Sequence, residues 1–339
     1  MDFLVLFLLY VGLVVLSFLL ACVYFGKKQS FPSRIFTWTT QVISYIIPAQ
    51  VQGAAQRTLH GLFHTRNSLF VVLHLTLEAL VYGEFTWEVF GYCEELEIGI
   101  PSLLLPYLLL IMNTGFFILC SKTDPGKITK SNQAEFLSAY PYDGVMFEKG
   151  VECPTCQVRK PARSKHCGAC NVCVHRFDHH CVWVNNCIGA FNARYFIIYL
   201  LTLTAMAVSI TALTATFLIQ VVILSNLMLG HYTDDHGQEH PIDAFFLIQH
   251  LFLTFPRIVF MLGFVVVHSI ILAAYFCFIL YLVLTNQTSN EWFKSPRHKC
   301  SCPKPCNEHR NYENIYSRGV WGNIAEIARP SMSAAKKRR

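Results

Sequence analysis

The stretch "HRFDHHCVWVNNC", residues 175–187, holds two cysteines and three histidines in thirteen positions. It closes a longer run of soft ligands: Cys153-x2-Cys156-x9-His166-Cys167-x2-Cys170-x2-Cys173-x4-Asp178-His179-His180-Cys181-x5-Cys187. Seven of the chain's 14 cysteines fall within 153–187. A closed structural zinc site takes four Cys or His donors, often from C-x2-C knuckles, so two knuckles imply two zinc ions and eight donors. Cys153, Cys156, Cys167, Cys170, Cys173 and Cys187 with two histidines supply them, and one thiol is left over. Cys181 is the best candidate for the spare, since it lies outside both knuckles and directly follows Asp178-His179-His180. In an extended segment neighbouring side chains point to opposite sides, so one of His179 and His180 can face a metal while the other faces Cys181. Spacing alone does not sort the donors into two sites, because the knuckles interleave. It also leaves open an arrangement in which all seven cysteines are ligands and nothing is catalytic. His175 reads as a bystander.

The rest of the chain reads as membrane protein. Of 339 residues 53% are hydrophobic and 14% charged, and the mean hydropathy is +0.40. Apolar runs of the length needed to cross a ~30 Å hydrocarbon core fall at about 3–25, 68–90, 99–120, 194–216 and 258–284. The first lacks the basic leading region of a signal peptide, which favours an uncleaved anchor. Positively charged loops are retained in the cytosol. Twenty-six of the 27 Lys and Arg fall before span two, in 121–194 or after 284, leaving only Arg257 outside. The loops at 91–98 and 217–242 carry acids and no base. This charge distribution implies five spans, a luminal N-terminus and a cytosolic C-terminus. Residues 243–255, cut from the last run by Pro256 and Arg257, read as an interfacial or re-entrant piece. The expected fold is an all-α polytopic membrane protein with a cytosolic cysteine-rich domain between spans three and four. Its parts are 1–120 (three spans and the loop 26–67), 121–193 (the cysteine-rich domain), 194–285 (two spans) and 286–339 (a cytosolic tail).

The order C-x2-C-x9-HC-x2-C-x2-C-x4-DHHC-x5-C resembles, without a gap, the cysteine-rich domain of the DHHC-type protein S-acyltransferases. "TDPG" at 123–126, "TSNE" at 288–291 and "NIYSRGVWGN" at 314–323 resemble further motifs of that family, in the family's order. The resemblance implies that Cys153, Cys156, His166 and Cys173 hold one zinc and Cys167, Cys170, His180 and Cys187 the other. It also implies that Cys181 is the nucleophile served by His179 and Asp178, with palmitoyl-CoA as acyl donor. Ser289, Trp183 and Asn323 are the supporting residues. Two departures stand out. Val182 occupies a position where the family usually has proline, and Ser289 replaces a threonine while keeping its hydroxyl.

The chemistry suits these residues. A free thiol near pKa 8.5 needs activation, and an imidazole oriented by a carboxylate supplies it. The expected reaction is a ping-pong transfer from acyl-CoA through Cys181 to cysteines of client proteins, with the acyl chain sheltered between the spans. Arg159, Lys160, Arg163, Lys165, Arg176 and Arg194 offer charge to CoA phosphates, but a positive-inside loop carries such charge anyway, so none is singled out. The runner-up function is a non-catalytic membrane adaptor that uses the zinc module to bind proteins. A transporter would need ionisable groups in the spans, where Glu78, His74 and His268 are the few candidates. Nucleic acid is not an expected partner, because the aromatic stacking layout of such binders is missing. Cys300, Cys302 and Cys306, flanked by His298 and His309, read as acylation sites rather than a third metal site. Lys336 and Lys337, the fourth and third residues counted back from the C-terminus, resemble a coat-protein retrieval signal for the endoplasmic reticulum. The Golgi and plasma membrane are the alternatives.

Overall fold

The computed structural model describes residues 49–96, 98–233, 237–295 and 314–330. The expected span 3–25, the cysteines at 300–306 and the basic run 336–339 lie outside the described residues. Two compact units are present, divided after Leu69. In the first, the described part is a helix, α1 (Ala49–His64).

Among the described residues, four helices are long and apolar enough to cross a membrane: α2 (Leu69–Glu95), α3 (Ile100–Lys122), α5 (Ala193–Leu224) and α7 (Pro256–Leu284). A short helix α4 (Gln133–Leu137) lies in the loop between α3 and α5, and α6 (Ala244–Thr254) precedes α7. Two bounds differ from the sequence reading. α2 continues past residue 90 through a π-helical turn, Phe85–Phe90, into Gly91–Glu95. α5 runs eight residues beyond 216, because Thr214, Thr216 and Gln220 dilute its hydropathy without interrupting the backbone ladder, and it ends only at Ser225, before Asn226 turns left-handed at φ 51°. α6 has 11 residues, about 16 Å, too short to cross the hydrocarbon core. Pro256 opens α7, in the first turn, where its missing N–H costs nothing.

α3 and α7 both pack along α5. Between α3 and α5 the contact includes a polar clasp: Asn113 Nδ2 donates to Tyr199 O (2.9 Å) and to Thr202 Oγ1 (2.8 Å), all buried. In a bilayer such a bond is worth roughly 0.6–2 kcal/mol. One apolar core lies around Phe85, Leu103, Phe217 and Ile258. A second joins Phe117, Cys120, Phe196 and Leu282 to Cys181, Val184 and Ile188 of the cysteine-rich loop. That second core seats the loop on the helix ends.

The loop between α3 and α5 is built from short antiparallel hairpins: β2 (Glu152–Cys153) with β3 (Val158–Arg159), and β6 (His179–Cys181) with β7 (Asn186–Ile188). Between them β4 (Lys165–Cys167) pairs with β5 (Val172–Val174), whose other edge takes β1 (Lys127–Ile128). Two asparagines fasten the loop to α3, whose last carbonyls have no partner within the helix. Asn186 Nδ2 donates to Cys120 O and Thr123 O at 3.0 Å, and Asn192 Nδ2 donates to Cys187 O (2.8 Å) and Cys120 O (3.4 Å). Asp124 Oδ1 then caps the chain turning out of the helix, accepting from Gly126 N and Lys127 N at 2.8 Å.

Gly189 closes this joint. A Cβ there would overlap the Pro125 carbonyl and stand 2.6 Å from Val174 Cγ1. The Pro125 carbonyl is backbone and cannot swing aside, so Gly189→Ala should destabilise the loop by about 1–3 kcal/mol. Faster limited proteolysis between residues 123 and 190 would register it, and an unchanged cleavage rate would refute it.

Candidate active site and metal centres

Each hairpin tip repeats one turn. Cys153-x2-Cys156 is followed by Gln157 at φ 51°, and Cys167-x2-Cys170 by Asn171 at φ 50°. The second cysteine's N–H donates back to the first sulfur in both: Cys156 N to Cys153 Sγ at 3.5 Å and Cys170 N to Cys167 Sγ at 3.4 Å. This is the turn geometry of a zinc knuckle, in which backbone N–H groups point at a sulfur that can serve as a ligand.

Strand register completes the two donor sets. His166 stands opposite Cys173 across β4–β5, and His180 opposite Cys187 across β6–β7. The donor atoms of Cys153, Cys156, His166 and Cys173 all lie within 4.8 Å of one another, and so do those of Cys167, Cys170, His180 and Cys187. Within the first set His166 Nδ1 is 3.2, 3.6 and 3.9 Å from the sulfurs of Cys156, Cys153 and Cys173. In the second His180 Nδ1 is 3.4 and 3.6 Å from those of Cys170 and Cys187. Zn–S near 2.3 Å and Zn–N near 2.0 Å in a tetrahedron put donors roughly 3.5–3.8 Å apart, so both sets fit the ion. Pairing of the knuckles is interleaved because His166 and Cys167, adjacent on β4, face opposite ways.

The β6–β7 tip is a third knuckle without its second cysteine. Cys181 takes the first position, Val184 stands where the second thiol would be, and Asn185 follows at φ 49°. Cys181 is the one cysteine of 153–187 in neither donor set. Burial by itself pushes the Cys181 thiol up, but His179 beside it, by hydrogen bond and charge, and the N–H groups of Val184 and Trp183 outweigh that and hold it below the usual thiol range. The turn that elsewhere aims its N–H groups at a donor-set sulfur here aims them at the one thiol outside both sets.

His179 and Cys181, two residues apart on β6, share a face, with His180 on the other. His179 Nδ1 is 2.6 Å from Asp178 Oδ2. Burial disfavours the imidazolium, yet the bonds to Asp178 and Cys181 push His179 up to about 10. Asp178 is held low in turn: burial opposes its charge, but His179 and then Ser289 more than offset this. Ser289 donates twice, its N to Asp178 Oδ1 (2.6 Å) and its Oγ to Oδ2 (3.0 Å). The hydroxyl noted in the sequence is therefore in use, joined by a backbone N–H. Phe196 stands edge-on to the His179 ring at 5.2 Å.

Ser289 is placed by a short helix, α8 (Ser289–Lys294), whose capping box is legible in the sequence: Thr288 Oγ1 accepts from Glu291 N, and Glu291 Oε2 accepts from Thr288 N. Glu291 also receives two bonds from Arg163, Nε to Oε1 and Nη2 to Oε2, both 2.7 Å. Arg163 further donates to Asn286 Oδ1 (3.0 Å) and Asn286 O (2.9 Å), and its guanidinium lies 5.0 Å from the Tyr140 ring centre and 4.4 Å from that of Tyr316. Arg176 reaches Asn286 Oδ1 at 3.2 Å and Glu326 at 3.6 Å. Both arginines are buried, at 0% and 5% exposure. They are structural members of this network and are withdrawn from the set of charges open to CoA. Asn323, 1% exposed, sits in α9 (Gly319–Ala328) and donates to Leu284 O at 2.7 Å, tying the tail to the end of α7. His175 stacks between Phe136 (4.5 Å) and Tyr140 (5.3 Å) and takes no part in the site.

Cys181, His179 and the half-exposed Trp183 line a cavity of about 570 Å³ between α2, α5 and α7. Its wall is mostly apolar, with Leu77, Val81, Leu203, Met206 and Ile271 among the lining residues. Trp183 packs edge-on to Phe70 at 5.4 Å, at the start of α2. Sequence reasoning missed the Arg163 network and the cavity's composition, both of which depend on residues far apart in the chain.

The family model for DHHC palmitoyltransferases matches residues 146–296. The chain is 54% identical to palmitoyltransferase ZDHHC4 of Bos taurus over 343 residues, covering 100% of this chain and 99% of that protein. It is 53% identical to palmitoyltransferase ZDHHC4 of Mus musculus over the same shares of both chains. It is also 40% identical to palmitoyltransferase swf1 of Schizosaccharomyces pombe over 156 residues, 44% of this chain and 41% of that one. With its gapless cysteine-rich loop, the DHHC run on β6 and relatives that match from end to end, the chain belongs to the DHHC palmitoyltransferase family.

Proposed function

We propose that this protein S-palmitoyltransferase moves a long-chain acyl group from acyl-CoA to cysteine thiols of client proteins by way of Cys181. The observation that carries the reading is the position of Cys181: the thiol left out of both metal sets, bonded by His179, in the wall of an apolar cavity. Its sulfur attacks the thioester carbonyl, the carbon–sulfur bond to CoA breaks, and CoA thiolate leaves with the proton that His179 carries. In the second half the client thiol gives its proton to His179 as its sulfur attacks the acyl-enzyme, which releases Cys181 as thiolate. Asp178 fixes the imidazole and offsets its charge in both halves. Each CH2 drawn from water into the cavity contributes about 0.8 kcal/mol, so the chain is held between the helices while the thioester stays at the interface.

Zinc fits the two Cys3His sets, and its role there is structural. All four positions of each set are protein donors, which leaves none for water or substrate. The bilayer and client proteins with juxtamembrane cysteines are the partners. Formation of a hydroxylamine-labile acyl-enzyme from palmitoyl-CoA, discharged by a client peptide thiol, tests the reading. An adaptor would take up no label.

The same proposal places five spans in the membrane, the cysteine-rich domain 121–193 and the tail 286–339 in the cytosol, and the N-terminus in the lumen. Asn286 supplies the check, because "NQT" at 286–288 is a glycosylation sequon. It should be unmodified on two grounds: its side and its burial, with Nδ2 donating to Tyr316 O (2.8 Å) and Glu326 Oε2 (3.0 Å). A glycosidase-sensitive shift that disappears in Asn286→Gln would overturn this topology. Endoplasmic reticulum residence, read by coat proteins through Lys336 and Lys337, belongs to the proposal too. Replacement of both by serine should release the protein to later compartments.

A further inference from the structure

One face of α2 carries three polar residues one helical turn apart, His74, Glu78 and Tyr82, and all three line the cavity. Tyr82 is spoken for, since its hydroxyl donates to Pro106 O at 2.7 Å. His74 Nε2 bonds the hydroxyl of Tyr199, on α5, at 3.0 Å. Glu78 Oε1 stands 3.4 Å from the same nitrogen, but Oε1 is buried and has no hydrogen-bond partner. His268 on the opposite wall is occupied as well, with Nδ1 2.8 Å from Phe264 O. An ionisable side chain inside a membrane helix is expensive and is expected to serve a function. Apolar packing alone would be better served by leucine, because an unsatisfied buried polar atom costs about 1–3 kcal/mol.

The occupant of this cavity, on the acyl-transfer reading above, is an acyl chain anchored at Cys181. Methylenes passing Glu78 leave its oxygen unpaired. A hydroxyl carried by the chain at that depth would pair with it, donating to the carboxylate or accepting from the carboxylic acid, so the match survives either protonation state. Depth follows from the helix. Tyr199, the residue bonded to His74, neighbours Cys181, and Glu78 lies one further turn, about 6 Å, from His74 along α2. The polar position is therefore an interior one, away from both the thioester and the far end of the chain.

We propose that Glu78, beside the His74–Tyr199 pair, is a specificity-determining residue that admits acyl chains bearing a hydroxyl at an interior carbon. The inference rests on the acyl-transfer reading. Its test is acyl loading of the full-length enzyme in detergent with a set of sixteen-carbon acyl-CoAs, unsubstituted or carrying one hydroxyl at successive positions. The wild-type enzyme should show a positional optimum, one interior isomer loading at least about threefold better than isomers hydroxylated nearer either end. In Glu78→Leu the ratio of that isomer to palmitoyl should fall about tenfold, the equivalent of about 1.4 kcal/mol. Glu78→Gln, which keeps both donor and acceptor, should retain most of the ratio. A flat positional profile in the wild type overturns the inference without recourse to any variant, and so does a ratio unchanged between wild type and Glu78→Leu. Palmitoyl loading lost in Cys181→Ser is measured in parallel. If no such loading occurs the acyl-transfer reading falls and this one with it, whereas loading with an unchanged ratio removes only the role of Glu78.

Discussion

Cys181→Ser should lose acyl loading by on the order of a thousandfold or more while the purified protein still carries two zinc ions per chain. The two parts of this expectation come from different contacts. Loading is lost because a serine hydroxyl at this position stays protonated: its pKa lies far above that of a thiol, and His179 with the Trp183 and Val184 N–H groups, which lower the Cys181 thiol, cannot hold it as an alkoxide. Metal is kept because Cys181 is outside both donor sets, and the β6–β7 pairing that positions His180 and Cys187 runs through backbone. Cys187→Ser should give the opposite profile. It removes one of four donors, and because structural zinc contributes folding free energy outright, metal content, expression and loading should fall together. Fewer than two zinc ions in Cys181→Ser would return that thiol to the ligand set and leave the site without a nucleophile.

The division between ligand and nucleophile was partly legible in the residues. Spacing supplied the donor count and singled out Cys181, and the alternation of an extended chain separated His179 from His180. What spacing could not supply was which knuckle joins which histidine. That assignment is made by register: His166 opposite Cys173 and His180 opposite Cys187, contacts that exist only once the hairpins form. The apolar helices were legible by length, and their ends less so. The termini of α2 and α5 depend on a π-helical turn and on Thr and Gln positions that hydropathy averages away. Arg163 was least visible. In a loop already rich in lysine and arginine one more cation reads as positive-inside charge, and its partners lie more than a hundred residues on. The sign that existed was the capping box at 288–291, which announced that Glu291 is committed to a helix start and leaves room for a buried counter-charge.

Arg163→Met should destabilise the protein by about 3–5 kcal/mol, the usual cost of removing one partner from a buried ion pair. Its guanidinium is fully buried and is the bidentate partner of Glu291, so methionine leaves the Glu291 carboxylate without a cation in a site closed to water, while Glu326 keeps Arg176 at 3.6 Å. Methionine preserves much of the stem's volume and its contact with Tyr140 and Tyr316, so the loss reads chiefly as charge. The damage should also reach the chemistry. Glu291 accepts from Thr288 N, Thr288 caps α8, and the first residue of α8 is Ser289, whose N and Oγ hold Asp178 against His179. A Glu291 carboxylate without its arginine competes for other donors, and the cap that aims Ser289 loosens. The discriminating measurement is a double-mutant cycle on thermal unfolding in detergent. Glu291→Gln in the Arg163→Met background should cost far less than in the wild type, because the charge it removes is already unpaired there. Additive losses would mean that the two residues act independently, and the link from the cysteine-rich loop through α8 to Asp178 would then have no energetic content.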